Sequence, residues 1–245
     1  MKMKNKNLIY GLFSIGLVLI LISSCKKEGN KETNIVTDID GNVYHTVVIG
    51  NQTWMLENLK VIHYRNGDLI GTTSPATLDI LSESNPKYQW AYNGNEDNAD
   101  IYGRLYTWYA ISDSRNICPV GWHIPSDEEW KELELQLGMS QADADGTDFR
   151  GTDEGCQLAG QDTLWNFGIL IDNPRYALSG FTANPAGFHH PNGTFQHLGN
   201  YTHWWTSTEY DTYSAWYREL CINYTGIKRN SYGKTVAFSV RCIKD

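Results

Sequence analysis

Four groups of residues have the types and spacing to do chemistry. CPVGWHIPSDEEWKELELQLG, from Cys118 to Gly138, sets a cysteine, a histidine and three consecutive acids within a dozen residues. A thiolate and an imidazole are ligands for zinc or copper, and an imidazole beside a carboxylate is an acid/base pair. His189, His190, His197 and His203 fall within fifteen residues and offer imidazole again. Two adjacent histidines on a loop seldom ligate one ion, so a histidine metal site is not the expectation. In ADADGTDFRGTDEG the positions Asp143, Asp145, Thr147, Phe149 and Glu154 fall at one, three, five, seven and twelve of a calcium loop. Gly146 stands at four, however, and Asp148 at six, where the sharp turn needs a glycine. Calcium is therefore the one candidate cofactor, weighed against an acidic solvated loop. Asp38, Asp40, Gly41 and Asn42 imitate the same motif, but Ile49 occupies the twelfth position and a hairpin turn explains them.

The elements that would carry these residues explain most of the first group. Ser126 is a good N-cap, Glu129 three residues on completes a capping box, and Trp130 can close over the cap. Asp127, Glu128 and Glu129 occupy the first turn, where the helix dipole favours acids. Trp130, Leu133 and Leu137 make an apolar stripe, and Gly138 stands where a helix ends. Each polar residue thus has a structural job, and His123 alone is left without one.

Elsewhere the pattern is β-rich. NIVTDIDGNVYHTVVIGNQTWMLENLK reads as a meander bracketed by DGN and GN turns, and Asn66-Gly67 signals a second hairpin. Residues 72–87 read as loop, Tyr88 to Tyr92 as a strand and NGNEDNAD as a polar loop. IYGRLYTWYAIS is read as a helix from near Arg104. From Ser179 onward, Gly, Pro and Asn alternate with aromatic runs, which predicts short strands and long irregular loops.

The N-terminus predicts export. Lys2, Lys4 and Lys6 precede the apolar run Leu8–Ile22, which is shorter than the roughly 20 residues a spanning helix needs. ISSC then resembles the lipobox of bacterial lipoproteins. That resemblance implies a signal peptide over 1–24 and lipidation of Cys25. The polar stretch 25–34 reads as a flexible tether, and 35–245, with no Pro-, Ser- or Gly-rich break and no internal repeat, as one domain. Removing the three lysines leaves 17 basic residues against 28 acids, a balance of −11. Such a surface does not attract nucleic acid. The domain cysteines Cys118, Cys156, Cys221 and Cys242 are expected to form two disulfides, with three pairings open, since no CxxC or CxxxC pair suggests zinc.

Six blocks taken together resemble one family: IDGNVYHTVVIGNQTWMLENL, YGRLYTWYA, CPVGWHIPSDEEWKEL, SGFTANPAGF, WWTSTE and FSVRCIKD. In that order they resemble the Fibrobacter succinogenes major paralogous domain of exported proteins and lipoproteins, over residues 38–245. Departures are the doubled tryptophan of WWTSTE and the additional Cys156 and Cys221. The family is in turn similar to the C-type-lectin-like superfamily in its PS-x-x-EW helix start and terminal VRC strand. The resemblance implies an α+β fold, a small twisted antiparallel sheet with two helices and long irregular loops. It also implies a Cys118–Cys242 disulfide, with Cys156–Cys221 left as the second pair.

Lectin-like folds recognise ligands with their long loops, so the expected function is a glycan- or protein-binding module. The anchor places it at the outer membrane, on the periplasmic or the cell-surface face. Trp204, Trp205, Tyr201, His203 and Glu209 are the candidate ligand-binding residues. On a strand Trp204 and Trp205 point to opposite faces, which predicts one buried and one exposed. The alternatives are a structural envelope or adhesion protein without a small ligand, and an enzyme like the formylglycine-generating enzymes with a copper-binding cysteine pair. No GxSxG, HExxH or P-loop pattern occurs, and enzymatic activity is not expected.

Overall fold

A computed structural model describes residues 35–245 of the chain. The apolar run, Cys25 and the tether lie outside the described residues. Strands β1 (Ile35–Thr37) and β2 (Val43–Ile49) form a hairpin, and β3 (Gln52–Met55) continues the meander. The turn acids are structural. Asp38 accepts from the backbone N–H of Asp40 and Asn42 and from the Tyr44 hydroxyl, whereas the Asp40 carboxylate accepts from Ile62 and His63.

The next elements are β4 (Gln89–Trp90), α1 (Glu96–Tyr102), β5 (Leu105–Thr107) and α2 (Trp108–Ile111). Two expectations are corrected here. NGNEDNAD carries helix α1, capped by the Asn95 side chain on the Asp97 N–H. No helix begins at Arg104: β5 follows it, pairing with β4, and the helix starts at Trp108 under a Thr107 cap. The short aromatic run could satisfy either period, and tertiary pairing decided it.

Then come β6 (Trp122–His123), α3 (Asp127–Gln136), α4 (Gln141–Asp145), β7 (Asp148–Arg150) and α5 (Glu154–Leu158). Helix α3 has the expected capping box between Ser126 and Glu129, buries Trp130, Leu133 and Leu137, and ends at Gly138 with φ +111°. The last elements are β8 (Phe188–His189), β9 (Phe195–Gln196), β10 (Tyr201–Glu209), β11 (Ser214–Cys221), β12 (Ile227–Gly233), β13 (Ala237–Phe238) and β14 (Ile243–Lys244). The expected short strands therefore give way, over 201–233, to a long antiparallel meander.

The fold is α+β, and the described residues form three antiparallel sheets in the orders β1-β2-β3-β14-β6, β4-β5-β13-β8-β9 and β10-β11-β12-β7. Strand β14 pairs with both β3 and β6, so the end of the chain locks onto the start of the domain. The Cys118–Cys242 disulfide reinforces this closure immediately before β6 and β14.

The third sheet divides two cores. Trp204, Leu220 and Ile227 project into one core with Trp54, Trp130, Cys156 and Phe181. Trp205, Ala215 and Tyr217 project into the other with Tyr106, Phe238 and Cys242. This division corrects two expectations. Both tryptophans are 0% exposed, because at that point each face of the sheet is covered. The Trp204 indole donates to Asn58 and the Trp205 indole to the Tyr106 carbonyl, so each polar tip is satisfied inside. Cys156 and Cys221 are buried free thiols rather than a disulfide. Cys156 packs with Leu220, while Cys221, one residue along the strand, turns to the opposite face beside Tyr201.

Helix α3 is bound to its side of the sheet by buried charge. Asp127 accepts from Arg218 at 2.7 Å and from Arg229 at 2.7 Å, and Glu134 accepts from Arg218 and Arg150, both at 2.6 Å. Asp127 therefore does more than complement the helix dipole. Burial alone would raise its pKa, but the hydrogen bonds from Arg229 and the field and hydrogen bonds of Arg218 outweigh that and lower it to about 2.

Candidate functional site

With one face of the β10-β11-β12-β7 sheet sealed by helix α3, part of the other face stays open. Cross-strand pairs His203↔Glu219, Tyr201↔Cys221, Glu219↔Lys228, Ala215↔Tyr232 and Lys228↔Phe149 all project to that side. Of these, Phe149, Tyr201, His203, Glu219, Lys228 and Tyr232 line a cleft of about 370 Å³ together with Phe188, His197, Tyr217, Tyr224 and Phe238.

Strand alternation supplies the residues, and the neighbouring loops close the ends. Gly187 has φ +63°, and a Cβ there would lie 2.3 Å from the Gln196 carbonyl, so only glycine brings Phe188 this close to its neighbours. Its N–H donates to the Tyr201 carbonyl. His197 is held at φ +66°, a left-handed conformation uncommon for a side chain of its size, and its ring packs on Phe188 and Tyr201. Phe149 and Tyr224 stack with ring centres 3.8 Å apart and planes within 9°. Tyr224 and Tyr232 stand exposed at the rim.

A polar centre sits among these rings. His203 Nε2 lies 3.2 Å from Glu219 Oε2, the Tyr217 hydroxyl donates to that oxygen at 3.3 Å, and Lys228 Nζ is 3.8 Å away. Burial works against the Glu219 carboxylate, but the His203 hydrogen bond and the surrounding positive field prevail and lower its pKa. Burial, and then Glu219, push the Tyr217 phenol well up. Glu219 is thus ionised and Tyr217 neutral. The His203 ring stacks on Phe238 at 4.7 Å, and its Nδ1 is buried without a hydrogen-bond partner.

Of the expected ligand-binding residues, Tyr201 and His203 line this cleft. Trp204 and Trp205 belong to the cores. Glu209 lies elsewhere, exposed and paired with Lys234 at 3.0 Å. Phe149, Tyr217, Glu219, Lys228 and Tyr232 were not singled out as ligand-binding residues. The signal for them was present as alternation, Tyr217-x-Glu219-x-Cys221 and Lys228-x-Asn230-x-Tyr232, but which alternate set faces the cleft depends on what covers the other.

The other candidates disperse. His189 is buried against Trp90 and Phe195, away from His203. Among the described residues, no three His, Cys, Asp or Glu side chains are grouped to hold a metal ion. The stretch that spaced like a calcium loop is divided among α4, β7 and α5. Asp143 accepts from Ser140, Asp145 pairs with Lys131, and Glu154 accepts from the Thr152 and Asp153 N–H groups. His123 acquires its role: Nε2 lies 2.8 Å from Glu129 and Nδ1 2.6 Å from Asp245, tying the start of α3 to the end of the chain. Burial disfavours its charge, but the two carboxylates overcome this and raise its pKa.

No curated protein and no solved structure matches the chain. The sequence model of the Fibrobacter succinogenes major domain matches residues 47–244, a span that includes the whole cleft. The chain belongs to the Fibrobacter succinogenes major domain family.

Proposed function

We propose that the domain is a ligand-binding module of the bacterial envelope and that it holds a glycan in the cleft on the open face of the β10-β11-β12-β7 sheet. The observation that carries this reading is the lining itself. Aromatic faces at Tyr201, Tyr224 and Tyr232 can stack on sugar rings, and polar groups lie beside them to fix orientation. The α+β architecture with antiparallel sheets and few helices is in keeping with a C-type-lectin-like fold. The ISSC sequence supports a lipid anchor at Cys25, and hence an outer-membrane location.

Binding without turnover is the favoured mode. Glycosidases of the common types use two carboxylates flanking the bond they cleave, and Glu219 is the single carboxylate among the residues lining the cleft. A glycan screen of the purified chain, repeated with Tyr232→Ala, tests the proposal. Tyr232 is 40% exposed and meets Tyr217 and Phe238 edge-on, so its removal costs on the order of 1 kcal/mol of stability, leaves the chain folded and weakens binding roughly tenfold. Binding that is indifferent to Tyr232→Ala and Tyr201→Ala would place the ligand elsewhere.

A further inference from the structure

The geometry points to an anionic sugar, one whose ring carries a carboxylate or a sulfate, as the ligand of this cleft. The inference rests on the binding function proposed above. In a chain with 28 acidic residues against 20 basic ones, a surface cleft would by default be acidic. This one has a single carboxylate, Glu219, whose Oε2 is engaged by His203 and Tyr217 and lies 3.8 Å from Lys228 Nζ.

Two donor-bearing side chains of the cleft lack hydrogen-bond partners among the described residues. Lys228 Nζ lies beyond hydrogen-bond distance of Glu219, at 3.8 Å, and among the described residues its three N–H groups make no hydrogen bond. It is positioned 5.3 Å from the centre of the Phe149 ring, at the edge of the stacked Phe149–Tyr224 pair. His197 stacks on Phe188 and Tyr201 with neither ring nitrogen hydrogen-bonded among the described residues.

These groups need acceptors from the ligand. A neutral sugar meets these donors only through hydroxyl oxygens, whereas a carboxylate or sulfate meets them with charged acceptors. A cationic ligand would meet Lys228 on the aromatic face it needs. An anionic substituent over Lys228, with the sugar ring against Tyr224 or Tyr232, satisfies both the charge and the hydrogen-bonding groups.

The test is the affinity of the full chain, purified in detergent, for tetragalacturonate, a sulfated galactose tetramer and neutral galactotetraose. The expected result is at least tenfold tighter binding of one or both anionic tetramers, weakening as salt rises. Lys228→Gln removes that preference with the melting temperature unchanged, and Lys228→Arg keeps it. Whether the carboxylated or the sulfated tetramer binds tighter identifies the anion. Equal affinity for all three, lowered in each by Tyr232→Ala, would overturn the anionic preference and leave the glycan-binding reading intact. Binding of none of these three, together with silence in the wider screen, would overturn both. A preference that survives Lys228→Gln would overturn the role assigned to Lys228 and with it the inference.

Discussion

Asp127 and Glu128 are adjacent acids in the first turn of one helix, and the structure predicts that neutralising them has very different consequences. Asp127 is buried and holds Arg218, itself fully buried, and Arg229, largely buried, at 2.7 Å each. Glu128 has a side chain 77% exposed and meets Lys131 at the surface. Asp127→Asn keeps the shape but leaves two buried guanidinium groups short of a counter-charge. Breaking a buried pair in this way destabilises by about 3–5 kcal/mol. For a domain of this size that lowers the melting temperature on the order of 10 °C. Glu128→Gln loses a dipole and surface-pair contribution of about 0.5 kcal/mol. The assay is urea unfolding followed by tryptophan fluorescence, with both variants measured under identical conditions. The sign of the pH effect is also fixed. Asp127 has a folded pKa of about 2, below the ordinary 3.8, so its contribution is full above pH 4 and disappears as pH falls toward 2. If Asp127→Asn loses less than about 1 kcal/mol, like Glu128→Gln, the buried network is not what fastens α3 to the sheet.

Other outcomes follow from the same structure. Trp204→Ala, which empties a fully buried site, destabilises by about 3–5 kcal/mol in urea unfolding, whereas Tyr232→Ala, which loses only edge contacts with Tyr217 and Phe238 at the rim, costs on the order of 1 kcal/mol. Replacing Cys118 and Cys242 by serine opens a link across 124 residues, and a loss of about 4–5 kcal/mol is expected in the same assay. Peptide mapping with a thiol reagent labels Cys156 and Cys221 in the denatured chain and neither in the native one, because both are buried and burial pushes their thiol pKa values up. His189 is fully buried, and burial, then His190, lower its pKa to about 4 despite opposing backbone groups of Gly193 and Ala76. The unfolded chain therefore takes up the proton first, and stability falls by about 3 kcal/mol between pH 6.5 and pH 4, a slope that His189→Phe removes when melting is followed against pH.

What could be read ahead of the structure was what depends on neighbours in the chain. Helix α3 is an example: its cap, stripe and stop are set by residues a few positions apart, so Ser126, Glu129, Trp130 and Gly138 announce it. The Cys118–Cys242 bond was implied by blocks shared with a family rather than by any feature of the cysteines. Trp204 and Trp205 show the limit. Alternation correctly places them on opposite faces, but exposure depends on what packs above each face, and residues as distant as Asn58 and Tyr106 supply that cover. The acids of α3 show it again, since the arginines that separate Asp127 from Glu128 lie about ninety and a hundred residues away. The cleft was half legible for the same reason. Tyr201 and His203 fall in the aromatic run that drew attention, whereas Glu219, Lys228 and Phe149 join them only through the register of β10, β11, β12 and β7.

The central claim is that the open face of this sheet is the binding surface. Its most direct test is calorimetric titration of the full chain with the tightest oligosaccharide from the screen, comparing wild type, Tyr232→Ala and Glu209→Ala. The account predicts at least tenfold weaker binding for Tyr232→Ala and wild-type affinity for Glu209→Ala, each measured well below its own melting temperature. Wild-type affinity in Tyr232→Ala, or loss of binding in Glu209→Ala, would contradict it.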